Sequence, residues 1–281
     1  MALDLTAVGK PIGPVTRRYG WRDAVLYALA VGAGFDELVY CYEKGLKVLP
    51  TFSLAATFDF FWQVGRISGA DARGVLHAGQ EFFFEAPLPV EGVLATDGEI
   101  VRYDDLGADK GAFIVVDGRT VDGDGRLLVR SRMTVYSRFD GGFGGERTPS
   151  PRVEFPDRPP DATLAAHPAA AQPLLYRLTG DEFVLHADPE FARRCGFEGP
   201  IMHGAGTLGF ACLGLIQHRV PDQPERVRYL NCRFTSPLYP GVPICTRVWQ
   251  VSADKLLWRT ENADTGEVVI DDGIFQYDPV S

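Results

Sequence analysis

Residues 176–204, YRLTGDEFVLHADPEFARRCGFEGPIMHG, decide how this chain is read. Asp181 and His186 lie five residues apart, and the mixed helical stretch after them stops at the Gly199–Pro200 break. Ile201, Met202, His203 and Gly204 then open a helix of small residues, AGTLGFACLGLI. Taken singly, these pieces have plain structural readings. A Gly-Asp turn is a common cap, and a histidine in an apolar segment can be satisfied inside a fold. Together they set a carboxylate and an imidazole beside a helix start, whose first N–H groups have no partner within the helix. That set can move a proton and hold an oxyanion.

Outward from this stretch the chain divides in two. Residues 147–173 hold seven prolines and few large apolar side chains, the composition of a surface linker. The expected division is residues 1–150, a linker over 151–173, and residues 174–281. Each half reads as a helix followed by antiparallel strands. In the first half Val25, Leu26, Leu29 and Ala30 have helical spacing, and strand-like runs cover 112–119 and 127–136. In the second half Leu208, Cys212, Leu215 and Ile216 have helical spacing, with strand-like runs at 244–251, 256–260 and 267–277. The small residues Gly204, Ala205, Gly206, Gly209, Ala211 and Gly214 would let the second helix lie close against a curved sheet. The acid and the base occur only in the second half.

The combined pattern G-D-x-x-x-L-H-x-D-P followed by G-F-x-x-P-I-x-H-G, with 23 residues from Asp181 to Gly204, resembles the signature of the hydratase 2 (MaoC-like) family of R-specific 2-enoyl-CoA hydratases. Residues 23–34, 48–52 and 141–145 (GGFGG), and 233–241 (RFTSPLYPG), are similar to the double-module members of that family. The resemblance implies an α+β fold of two hotdog modules, each a helix wrapped by an antiparallel sheet. It implies that Asp181 and His186 hold one water and that the Gly204 N–H binds the thioester carbonyl; Phe183, Ile201, Met202 and His203 are the candidate substrate contacts. It further implies that the first module has exchanged catalysis for a roomier acyl groove. The aromatic run Phe52, Phe58, Phe60, Phe61 and Trp62 is a candidate lining, and equally a candidate core. His77, the histidine of Val75–Gln80, reads as a strand residue satisfied by the backbone. The chain departs from the family pattern at Phe183 and Val184, where the family carries Asn and Pro.

Composition bounds the rest. With 281 residues, 46% hydrophobic content and a mean hydropathy of −0.04, the chain can bury one large core or two medium ones. A net charge of −9 and the lack of basic runs argue against a nucleic-acid partner. The phosphates of an acyl-CoA partner would therefore need local cations, with Arg193, Arg194, Arg226 and Arg228 as candidates. No stretch approaches the roughly 18 apolar residues of a spanning helix, and neither a secretory leader at the N-terminus nor a peroxisomal tripeptide at 278–281 is visible. The expectation is a cytoplasmic chain with no membrane partner. The five cysteines, without C-x-x-C spacing, are expected as free thiols. No cofactor or metal is called for: Cys195, His186 and His203 could be imagined around zinc, but their spacing does not require it. No G-x-S-x-G elbow is present. Two alternatives stay open, a hotdog thioesterase that directs water to the carbonyl carbon, and a non-catalytic acyl-CoA-binding protein. A homodimer is compatible with two modules per chain but not required by them.

Overall fold

The computed structural model describes residues 3–145, 147–149 and 152–279, so the expected boundary at 150/151 and the final residues 280–281 lie outside the described residues. Strands that alternate apolar and polar residues pair antiparallel with one another. They are β1 (Pro11–Tyr19), β2 (Val75–Phe84), β3 (Gly92–Asp105), β4 (Ala112–Asp122), β5 (Leu127–Ser137), β6 (Ala162–Ala166), β7 (Val227–Phe234), β8 (Ile244–Ser252), β9 (Lys255–Asn262) and β10 (Val268–Tyr277). All join one antiparallel sheet in the order β1-β3-β4-β5-β2-β7-β10-β9-β8-β6. From either edge inward the connectivity is the same, β1-β3-β4-β5-β2 mirrored by β6-β8-β9-β10-β7. The halves meet where β2 pairs with β7, Gly79 opposite Arg233 and Phe83 opposite Tyr229.

The helices are α1 (Trp21–Ala30), α2 (Leu38–Cys41), α3 (Phe52–Ala56), α4 (Asp59–Ser68), α5 (Gln172–Tyr176), α6 (Pro189–Arg194) and α7 (Gly204–Arg219). In each half one helix immediately precedes the central strand and lies against the sheet: α4 before β2, and α7 before β7. Phe60, Phe61 and Val64 of α4 pack on Ile12, Ile100, Ile114 and Val135. Helix α7 is buried on nearly all sides, which removes the need for a polar face. The molecule is an α+β double hotdog.

Three expectations change. The helical spacing at 25–30 marks a real helix, α1, but the sheet-backed helix of the first half is α4. Helix α1 instead meets the second half, with Gln172 Nε2 donating to the Leu29 and Ala30 carbonyls at 3.0 and 2.7 Å. The glycines of α7 make room for this packing rather than for the sheet alone. A Cβ on Gly209 would lie 2.4 Å from Val31 Cγ1, and one on Gly206 would lie 3.2 Å from the Tyr176 ring. Nor is 151–173 a bare linker. Its run ATLAA forms the edge strand β6, pairing Ala162 with Val248, and Val153 N–H donates to Asp272 at 3.0 Å. A short Ala/Thr run bracketed by prolines looks like loop, yet an edge strand tolerates prolines beside it. The GGFGG segment at 141–145 is tied down by Asp105, which accepts from the N–H groups of Gly107, Gly142 and Gly144.

Candidate active site

The backbone entering Asp181 is gripped by the first half. Arg17 of β1 donates to the Thr179 carbonyl at 2.7 Å, and Gly180 sits so close to the Ala55 carbonyl that a Cβ there would approach it to 2.0 Å. Asp181 Oδ1 accepts from the Phe183 N–H at 3.1 Å, an Asx turn that aims the other oxygen away from the chain. One 3₁₀ turn, Val184–His186, then presents the imidazole. Asp188 caps α6 by accepting from Glu190 and Phe191 N–H at 2.8 and 3.1 Å. The return leg after α6 brings the Ile201 carbonyl to His186 Nδ1 at 2.9 Å. A carbonyl only accepts, so Nδ1 carries the proton and Nε2 is a bare lone pair.

That lone pair faces Asp181 Oδ2 across 3.9 Å. The separation exceeds a direct hydrogen bond and falls within reach of the two O–H arms of one bridging water. Asp181 is 4% exposed and His186 9%. Burial pushes the Asp181 carboxyl up to about 7, opposed by the Phe183 N–H, and pushes the His186 imidazole down to about 4. The usual order of basicity is thus inverted, with the carboxylate a stronger base than the imidazole.

Asp181, His186 and Gly204 all line one cavity of about 240 Å³. Phe183, Ile201 and Met202 line it too. Gly204 is the first residue of α7, where the N–H groups point out of the helix unsatisfied. Phe234 closes against its α-carbon, and a Cβ on Gly204 would lie 3.1 Å from that ring.

His203, expected on the substrate, lies instead behind His186 and off the cavity wall. Its ring stacks on the His186 ring with centroids 3.7 Å apart, and Nε2 donates to the Asp181 carbonyl at 3.1 Å. Burial holds it neutral, well below the usual histidine range. It thereby joins the Asp181 backbone, the His186 plane and the start of α7. Ligand atoms of Asp181, His186 and His203 fall within 4.8 Å of one another. Stacked imidazoles send their in-plane lone pairs side by side rather than onto one point, so the trio suits a packed acid–base pair better than a metal.

The first half supplies part of the wall. Of the aromatic run, Phe58, Phe61 and Trp62 line the cavity. Phe52 instead packs on Tyr19 and Tyr27 in the core, and Phe60 lies under Gly98 and Gly118 of the sheet. Trp62 meets Phe183 edge-on at 4.8 Å, with Phe191 on the other side of Phe183 at 5.6 Å. Sequence reasoning missed Phe234 and His77 as lining residues; the only signal for either was an aromatic or a histidine in a strand facing the junction. Of the arginines considered for phosphates, Arg226 and Arg228 are bound to Asp278 near the chain end, and Arg194 lies 3.8 Å from Glu190. All five cysteines are free. No helix among the described residues is long and apolar enough to cross a membrane.

Two family models cover most of the chain: a MaoC-like domain over residues 152–272 and the MFE-2 hydratase 2 N-terminal domain over residues 18–139. The 3-hydroxyacyl-thioester dehydratase Y of Mycobacterium tuberculosis is 34% identical, with 99% of each chain covered. A probable enoyl-CoA hydratase 2 of Dictyostelium discoideum is 31% identical over 100% of this chain and 98% of its own length. The crystal structure of a MaoC-like dehydratase from Phytophthora capsici superposes with a TM-score of 0.86 at 27% identity, covering 98% of both chains. With both modules matched in order and relatives aligned end to end, the chain belongs to the MaoC-like hydratase 2 family.

Proposed function

We propose that this protein is a hydro-lyase that adds water to trans-2-enoyl-CoA to give (3R)-3-hydroxyacyl-CoA, and runs the reverse dehydration. The observation that carries the reading is the pair of acceptors, Asp181 Oδ2 and His186 Nε2, 3.9 Å apart in a buried pocket beside an open helix start. A water donating one hydrogen to each has its lone pairs free for C3. As its oxygen bonds to C3, Asp181 takes one of its protons, being the more basic of the two, and the C2=C3 electrons move toward the carbonyl oxygen. The Gly204 N–H holds that developing charge, a contribution of about 3 kcal/mol in comparable oxyanion holes. Asp181 then returns the proton to C2 on the same face and is a carboxylate again. His186 holds and orients the water.

In this reading the first module is non-catalytic and forms the acyl groove with Phe58, Phe61 and Trp62. The whole site is built within one chain, so a homodimer is not needed for activity. Five free thiols support a reducing, cytoplasmic setting. Turnover followed by loss of the enoyl-thioester absorbance tests the site. Asp181→Asn and His186→Ala should each lower it by at least about a hundredfold with the fold intact, and full activity in both would overturn the mechanism.

A further inference from the structure

His77 stands on β2 of the first module, in the wall of the cavity that holds Asp181, His186 and Gly204. Its ring lies between Phe61 at 5.9 Å and Phe234 at 4.9 Å, the same Phe234 that closes against Gly204. The tautomer is set by its neighbours. Nε2 faces two acceptors, the Gly79 carbonyl and Gln80 Oε1, each at 3.1 Å, and the Gln80 amide is oriented by its own donation to the Glu81 carbonyl at 3.0 Å. Nε2 therefore carries the proton, and Nδ1 is an acceptor. That Nδ1 is buried and has no hydrogen-bond partner among the described residues. A buried acceptor left unpaired costs on the order of 1–3 kcal/mol, so its retention on an otherwise apolar stretch of wall asks for a donor.

We infer that His77 is a substrate-positioning residue, contributed by the module without the acid–base pair, whose Nδ1 accepts a hydrogen bond from an N–H or O–H of the bound acyl thioester. The inference rests on the proposed thioester chemistry of the site. Two parts of such a ligand carry donors: the pantetheine amides, present in every CoA ester, and a hydroxyl on the acyl group, present only in the hydroxyacyl form. Burial pushes the imidazole down to about 4, so the ring stays a neutral acceptor through the neutral range.

Two substitutions separate this role from a purely structural one. His77→Asn places an amide oxygen near the Nδ1 position and gives up the Nε2–H donor. His77→Gln keeps an N–H near Nε2 and gives up the Nδ1 acceptor. Both are made on Asp181→Asn protein, which holds ligand without turning it over, and binding of a trans-2-enoyl-CoA and of the matching 3-hydroxyacyl-CoA is measured by calorimetry. His77→Gln should weaken binding about tenfold while His77→Asn stays within about twofold of the parent, the scale of one hydrogen bond. Loss for both ligands assigns the amide as donor, and loss for the hydroxyacyl ester alone assigns the hydroxyl. The reverse order, Asn harmful and Gln neutral, or equal binding by all three proteins, overturns the inference and leaves the proposed function standing. Failure of either ester to bind any of the proteins overturns both.

Discussion

A buried carboxylate that serves as a base should weaken the fold that carries it. Asp181 has an ordinary value of 3.8 and is pushed up to about 7 by burial. The folded state therefore holds its proton more tightly than the unfolded chain does, and stability falls as pH rises from about 4 to about 7. At about 1.4 kcal/mol per pH unit, the gap between 3.8 and about 7 makes the full cost about 4 kcal/mol, expressed above pH 7. Asp181→Asn removes the charge and keeps an oxygen for the Phe183 N–H, at the expense of burying an amide N–H₂ that costs about 1–2 kcal/mol. The variant should thus be about 2–3 kcal/mol more stable than wild type at pH 8 and slightly less stable at pH 4. His186 works the other way: its depressed value makes stability rise between about 4 and 6.5, which flattens the wild-type profile. The wild type/variant difference removes that contribution. Urea unfolding of both proteins from pH 4 to pH 8 is the assay, and a difference that does not change with pH, or a wild type that is the more stable at pH 8, refutes the reasoning.

The same inversion sets the pH dependence of catalysis: with Asp181 active as a carboxylate, kcat/KM should rise with pH and level off above about 7, and a flat profile from 5 to 8 would remove Asp181 as the base. Gly204→Ala brings a methyl to 3.1 Å from the Phe234 ring and crowds the helix start; kcat should fall by about 10²-fold, as for loss of an oxyanion donor, while the unfolding midpoint changes little. Phe183→Asn loses the edge contacts with Trp62 and Phe191 and admits water beside Asp181. Turnover of bulky apolar enoyl-CoA esters should drop, and the pH limb should move to lower pH; increased turnover on every ester would show that the ring only obstructs the site.

The outcome along the chain shows what sequence carries and what it does not. Strands β4, β5, β8, β9 and β10 announce themselves by β-branched runs between turn residues, and each appears where expected. Strand β3 does not, because its acids Asp97, Glu99, Asp104 and Asp105 and its Gly98 read as loop. Gly98 is there for a contact invisible in sequence: a Cβ would lie 2.0 Å from the Asp117 carbonyl and 2.9 Å from Phe60. Strand β1 hides behind Pro11, Gly13 and Pro14, which an edge position permits. In the site, the turn that carries Asp181 and His186 and the helix start at Gly204 were legible from local spacing. The place of His203 was not, since a ring stack depends on how two separate segments cross. Phe234 and His77 were hidden for a related reason: the cavity wall is made where the modules meet, and no local pattern records a junction between residues far apart in the chain.

The central claim is that one water, held by Asp181 and His186, adds across C2=C3 with its proton relayed to the same face. It is tested most directly by incubating the protein with a trans-2-enoyl-CoA in deuterium oxide and resolving the product. The account predicts an intact thioester bearing a (3R)-hydroxyl and one deuterium at C2, delivered syn to that hydroxyl. A (3S) product, anti delivery of the deuterium, or release of free CoA thiol in place of hydration would contradict it.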